Sequence, residues 1–167
     1  MLPDLLLPEL DLVICSTAAG PRSAARGRYY AGRGNRFWRV LAETGLTPTE
    51  LSPDRDHALL AHGIGLTDLA KGVSGMDRDL PQGALGADAA AALRGRIEAF
   101  RPRRVAFNGL GAARAALGKR AVPGPGRLAP ELIPGVELWA LPSTSGAARG
   151  HWDIGPWQAL AAAMGRG

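Results

Sequence analysis

Polar side chains that could bind a ligand or a water molecule follow two short apolar runs of the sequence. Ser16 and Thr17 come directly after the run 11–15, and Asp68 lies near the end of the run 63–69. Hydroxyl groups can bind water or a carbonyl group, and a carboxylate can accept a proton from water or stabilise a developing positive charge. These three residues are therefore candidates for the chemistry of a catalytic site.

A third polar segment, residues 143–150, follows the apolar run 136–141 and is rich in glycine, serine and arginine, like residues 16–34. Backbone amides, hydroxyl groups and guanidinium groups are well suited to phosphate oxygens. The two segments therefore indicate a site that binds an anion such as nucleic acid.

Composition agrees with a polyanionic partner but does not establish one. The 167 residues are 46% apolar, which is enough for one substantial core, and carry a formal net charge of +5. All of the 20 basic residues except Lys71 and Lys119 are arginine, which suits bidentate phosphate contacts and equally fits a codon bias. One cysteine, Cys15, and three histidines exclude an internal disulfide framework and make a structural zinc site a poor interpretation.

Apolar runs that alternate with helical patterns must position these residues. Strands are predicted at 11–15, 63–69, 105–109 and 136–141, and helices from Asn35 to about 45, at 54–62, 88–100 and 111–117, and around 157–164, with 23–34 as an ordered surface loop. This alternation predicts an α/β fold, a three-layer α/β/α arrangement with a central parallel sheet of four to five strands. We expect residues 1–167 to form a single domain with its ligands at the carboxyl ends of the strands.

Two further patterns bear on location and ligand class. Residues 1–12 contain three acidic and no basic residues, unlike a secretory signal, and we expect a cytoplasmic protein. The segment 109–114 has a glycine spacing similar to part of a dinucleotide-binding motif, but its third glycine is missing. A plain turn between a strand and a helix is the favoured interpretation there.

Several separated motifs, in order and at similar spacing, resemble the mismatch-specific uracil/thymine-DNA glycosylases of the uracil-DNA glycosylase superfamily. They are Leu2-Pro3-Asp4, the strand ending at Ile14, the stretch from Gly27 through Tyr30, Gly34 and Asn35 to Trp38, Gly63 to Asp68, Pro102 to Gly109, and Leu141 to Ser145. The resemblance covers roughly residues 3–157. It implies monofunctional hydrolysis of a base–sugar bond in DNA, without metal or cofactor, after the nucleotide has been flipped out of the helix. We expect a monomer that acts on DNA containing a deaminated or mismatched base.

The resemblance also implies roles for individual residues. The first loop would hold the attacking water, and Tyr30 would stack on the base, although packing within the protein is an alternative for this ring. Ser143 and Ser145 would contact phosphate through hydroxyl and backbone amide groups. The remaining DNA-binding candidates are Gly146, Ala147 and Arg149. Ala147 stands where relatives carry a bulky intercalating residue, and Arg149 would contact the orphaned partner base or a phosphate.

The sequence departs from the family where the water should be held, because Ala18 replaces the asparagine of the first motif. Asp68 is the first candidate to take over, as an acceptor for the proton of water and an electrostatic stabiliser; capping its loop or pairing with a basic neighbour are the alternatives. Asn35 is a second candidate, with helix capping as its alternative. Ser16 and Thr17 would assist by binding water or the base.

From these residues we predict a uracil-DNA glycosylase of base excision repair that acts on G:U mispairs, with single strands as a further substrate. A hypoxanthine-DNA glycosylase is one alternative, since a branch of the superfamily relies on an asparagine in the region of Asn35. A protein that binds mismatches or abasic sites, and has lost catalysis, is the other.

Overall fold

The computed structural model describes residues 2–167, apart from the side chains of residues 148 and 149. The strands are β1 (Leu12–Ser16), β2 (Ile64–Asp68), β3 (Arg104–Asn108), β4 (Gly126–Arg127) and β5 (Glu137–Leu141). The α-helices are α1 (Pro21–Arg26), α2 (Phe37–Thr44), α3 (Ala87–Phe100), α4 (Leu110–Leu117) and α5 (Gly155–Ala163). Short 3-10 helices span Pro53–His62, Asp77–Asp79, Lys119–Ala121 and Gly146–His151.

The five strands form one sheet in the order β2-β1-β3-β5-β4. The first four of these run parallel, and only the two-residue edge strand β4 is antiparallel. In the register of the sheet, Ser16 lies beside Asp68 and Asn108 beside Leu141, so these four strands end at one edge. The predicted α/β fold with a mainly parallel sheet is confirmed.

Alternate residues of β1 enter two different cores, one on each face of the sheet. Leu12 and Ile14 pack with Phe37 of α2 and Trp157 of α5, among others. Val13 and Cys15 belong to the second core, which contains side chains of α3 and α4. Strands that are buried on both faces read as continuous apolar runs, which is why β1 could be predicted from the sequence. Cys15 is a core residue as predicted, and burial raises the pKa of its thiol.

Two local predictions need correction. Residues 23–34 are not all loop, because helix α1 extends to Arg26. Pro21 at the first turn and Gly27, with φ of 66°, at the carboxyl end fix this short helix without an apolar repeat. β4 lies in the Pro- and Gly-rich segment 122–134, where no strand was predicted. The predicted short helix at 54–62 is present, as a 3-10 helix over Pro53–His62.

The turn between β3 and α4 is made by Gly109 with φ of 115°, a conformation that L residues rarely adopt. Its N–H donates to the carbonyl of Leu141 at the end of β5. This is the tight strand-to-helix turn predicted from the sequence. Within residues 2–167, no helix is long and apolar enough to cross a membrane.

Candidate active site

An open cavity of about 1040 Å³ lies at the carboxyl edge of the sheet. The predicted candidates among its lining residues are Ser16, Thr17, Ala18, Tyr30, Asn35, Asp68, Ser143, Ser145, Gly146 and Ala147. The end of β1, the end of β2 and the loop after β5 thus meet around one space, as the parallel sheet requires. The side chain of Arg149, the remaining candidate, lies outside the described part of the structure.

Asp68 is the carboxylate at the inner wall of this cavity. It ends β2, and only 3% of its surface is exposed. Burial raises its pKa to about 6, and the Lys71 ammonium, whose Nζ lies 3.5 Å from Asp68 Oδ2, opposes that rise. The side chain is therefore mostly ionised at neutral pH and would accept a proton from water more readily than a surface aspartate. The sequence left open whether Asp68 lines the site or pairs with a basic neighbour, and it does both.

Tyr30 stands at the cavity wall with its hydroxyl against Ser16. Its Oη and the Ser16 Oγ are 2.5 Å apart, and one face of its ring is stacked on Phe37 at 3.7 Å between ring centroids. The residue has φ of 52°, in the left-handed region that costs a non-glycine residue roughly 1 kcal/mol or more. Since Phe37 covers one face, any base that stacks on Tyr30 must use the other face.

The Thr17 hydroxyl makes a hydrogen bond that was not predicted from the sequence. It donates to Asp77 Oδ1 at 2.6 Å, across 60 residues of chain. Three backbone hydrogen bonds fix the same two segments together: Leu69 N–H to Ser16 O, Ala70 N–H to Thr17 O, and Gly75 N–H to Ala19 O. The loop after β2 is thereby held against the first loop, and Asp77 joins the lining of the cavity.

Asn35 and Ala18 face the same cavity with different chemical capacity. Asn35 Oδ1 accepts a hydrogen bond from Phe37 N–H at 3.0 Å, so its side chain supports the start of α2 although the N-cap residue itself is Arg36. This contact uses the carbonyl oxygen of the amide and leaves Nδ2 as the atom that could donate into the cavity. Ala18, also in the lining, offers only a methyl group.

The loop after β5 is fixed by two residues whose role the sequence did not reveal. Asn108 at the end of β3 binds the hydroxyl and the backbone N–H of Thr144, and Thr144 is fully buried. Within the loop, Ser143 Oγ accepts from Ser145 N–H at 3.2 Å and Ser145 Oγ accepts from Ala147 N–H at 3.3 Å. Both hydroxyl groups retain a proton to donate to an anion, whereas these two amides are already engaged.

The mouth of the cavity carries basic side chains from three segments. Arg22, Arg33 and Arg78 are exposed and line the opening, together with Asp77 as an acidic neighbour. This charge suits a polyanion that lies across the mouth. The described residues contain no cluster of three or more His, Cys, Asp or Glu side chains suited to a metal ion.

Two comparisons place this geometry among known proteins. Residues 3–162 match a family model described as the uracil DNA glycosylase superfamily. The fold is similar to the solution NMR structure of a candidate uracil DNA glycosylase from Methanosarcina acetivorans, with a TM-score of 0.65 and 22% sequence identity over 98% of this chain and 96% of that chain. At this level of identity the second likeness shows the fold alone.

Proposed function

Because the chain belongs to the uracil DNA glycosylase superfamily, we propose that it is a monofunctional DNA glycosylase that releases uracil, with G:U mispairs as its main duplex substrate. Membership of the superfamily supports a hydrolase that acts on N-glycosidic bonds and has DNA as its partner. The mismatch-specific branch is the proposed subfamily, with Ala18 in place of the usual asparagine. A single domain that works as a monomer in base excision repair is part of the same proposal.

The observation that carries the proposal is the burial of Asp68 at the inner wall of the cavity, beside Ser16 in the sheet register. A glycosylase needs a group that orients water and stabilises positive charge on the sugar, and the first loop has lost its amide at Ala18. Asp68 is a buried carboxylate in the adjacent strand, mostly ionised at neutral pH. It is the described cavity residue best suited to replace the missing amide.

The reaction follows from these positions. The uracil nucleotide leaves the helix and enters the cavity, at a cost of a few kcal/mol that is lowest for a mispair. The bond between C1′ and the base then breaks, its electron pair leaves with the base, and the sugar becomes an oxocarbenium-like cation that the Asp68 carboxylate stabilises. Water adds to C1′ and gives its proton to Asp68. Since Lys71 pairs with Oδ2, we assign Oδ1 to the water.

The base and the backbone are assigned to the surrounding residues. Tyr30 stacks on the base with the ring face that Phe37 leaves open, and Asn35 Nδ2 donates to a base carbonyl. Ser16 and Thr17 assist from the first loop. Ser143, Ser145 and Gly146 hold the phosphates, while Ala147 and Arg149 face the gap left in the duplex.

A hypoxanthine glycosylase is the second candidate, because Asn35 lines the same cavity and could serve a purine as well. The test uses labelled DNA with one G:U, G:T or hypoxanthine site, and a uracil-containing single strand, followed by alkali cleavage at abasic sites. We expect cleavage of the G:U duplex and the single strand by the wild-type protein, and a much lower rate with Asp68→Asn. Cleavage of the hypoxanthine duplex alone would establish the second candidate. Tight retention of the lesion with no cleavage of any substrate would identify a binding protein.

A further inference from the structure

A cluster of partly buried charged side chains surrounds Asp68, and the N-terminal segment supplies one of its members. Residue 5 is paired with β2 through two backbone hydrogen bonds between Leu5 and Leu66, each of 2.9 Å. This pairing places Asp4 against the end of β2, where its Oδ1 accepts a hydrogen bond from the Thr67 hydroxyl at 2.7 Å. Asp4 is thus fixed next to Asp68, although 64 residues separate them in the chain.

Lys71 is the cation between these two carboxylates. Its Nζ lies 3.0 Å from Asp4 Oδ1 and 3.5 Å from Asp68 Oδ2, and it donates to the Tyr29 hydroxyl at 3.5 Å. Arg96 of α3 also reaches the cluster, but its Nη2 donates to the backbone carbonyl of Asp68, and its Nε lies 3.8 Å from Asp4. Among the described residues, Lys71 is therefore the cation that contacts the Asp68 carboxylate directly.

We propose that Lys71 is a positioning residue that holds the Asp68 carboxylate in place and favours its ionised form, while Asp4 disfavours that form. The inference deepens the proposed function and rests on it, because it explains how a carboxylate so deeply buried can serve as a proton acceptor. Lys71 acts only through Asp68 and is absent from the lining of the cavity.

In the part of the chain that the structure describes, the other titratable groups around Asp68 are neutral, and three charged groups determine whether Asp68 is ionised. Cys15 of β1, Tyr29 and Tyr30 all have a pKa raised by burial, so none of them is ionised at neutral pH. The charged groups are Lys71 and Arg96, which favour the ionised form of Asp68, and Asp4, which disfavours it. Removal of Lys71 and removal of Asp4 must therefore move the titration of Asp68 in opposite directions.

The experiment is a pH titration of the Asp68 carboxyl carbon by NMR in the folded protein without DNA, with the signal assigned from its loss in Asp68→Asn. Lys71→Met should move the midpoint up by about one pH unit or more, since an opposite charge at this distance is removed. Asp4→Asn should move it down. Lys71→Arg keeps the charge, so the Asp68 midpoint should remain near its wild-type value. The same is expected for Lys119→Met, which makes the matched change at the exposed second lysine.

An unchanged midpoint in Lys71→Met, or an upward shift in Asp4→Asn, would overturn the proposal. Should Lys71→Met fail to fold, Lys71→Gln makes the same test, because it also removes the charge and keeps a group that can donate hydrogen bonds. The titration needs no catalytic activity, so its result and the test of the proposed function are independent. If the protein shows the predicted shifts but releases no base, the role of Lys71 is supported and the proposed function is wrong. In an active enzyme, the acidic limb of the single-turnover rate should move with the midpoint in each variant, a change that a merely structural lysine would not produce.

Discussion

The side-chain amide of Asn108 makes two hydrogen bonds to Thr144: Nδ2 donates to Oγ1 at 2.9 Å, and Oδ1 accepts from the backbone N–H at 3.0 Å. Thr144 is fully buried, and its own carbonyl accepts from Arg36 N–H. One amide at the end of β3 thereby fixes the loop that carries Ser143 and Ser145. The position of the proposed phosphate contacts depends on this pair.

Asn108→Ala should lower the free energy of unfolding by about 1–3 kcal/mol, because two buried polar groups of Thr144 lose their partner. It should also weaken binding to an abasic-site duplex, since the loop is no longer held. Denaturant unfolding and a binding titration measure the two effects, with Thr144→Ser as a control that keeps both hydrogen bonds. If Asn108→Ala is destabilised but binds the duplex with unaltered affinity, the contact between Asn108 and Thr144 does not contribute to DNA binding.

Asp68→Asn should stabilise the protein at neutral and alkaline pH. The folded pKa of about 6 lies above the ordinary value of 3.8, so folding favours the protonated acid. The stability from this preference is fully present below about pH 4 and is lost as pH rises through 6, by about 3 kcal/mol at most. Urea unfolding from pH 4 to 8 should show that the free energy of unfolding of Asp68→Asn, relative to that of the wild type, increases as pH rises. A difference that is constant with pH, or that shrinks towards pH 8, would contradict the raised pKa.

Ala18→Asn should preserve or raise the rate of uracil release. The substitution places an amide at the cavity wall, where members of the resembling family hold the attacking water. Ala18→Leu has a similar size without polar atoms and should lower the rate. A folded but inactive Ala18→Asn would show that the water lies elsewhere in the cavity.

Ala147→Leu should increase the rate on duplex DNA more than on single strands. Ala147 is exposed at the proposed intercalating position and is too small to separate stacked bases. A larger apolar side chain should increase the rate most in a matched A:U duplex, where flipping the nucleotide costs the most free energy, and should not change it in a single strand. Single-turnover rates on A:U duplex, G:U duplex and single-stranded uracil DNA measure this order. Equal changes in rate on all three substrates would show that residue 147 takes no part in opening the DNA helix.

The sheet could be predicted closely because each main strand is an apolar run with a clear end. The predicted strand 105–109 and the observed Arg104–Asn108 differ by one residue at each end, and α3 begins one residue before the prediction. Helix α1 could not be predicted in this way, since its residues between Pro21 and Gly27 show no apolar repeat.

The candidate site could be predicted in part. Because β1 and β2 are parallel, Ser16 and Asp68 at their carboxyl ends lie at the same edge of the sheet, as predicted from the sequence. The contact of Asp4 with Lys71 depends on the N-terminal segment pairing with β2, and that of Thr17 with Asp77 on how the loop after β2 folds back. Tertiary contacts of this kind leave no local pattern. The spacing of Asp68 and Lys71 by three residues was the one available signal.

The most direct test of the account is the single-turnover rate of uracil release from a G:U duplex by Asp68→Asn, measured together with its affinity for the same DNA. We predict a rate lower by about 10²-fold or more, with an affinity within a few-fold of the wild type, since in the proposed mechanism the carboxylate acts on the reacting sugar and water. Asp54→Asn, which changes an exposed carboxylate outside the cavity lining, should leave both values unchanged. A wild-type rate in folded Asp68→Asn would remove this carboxylate from the mechanism.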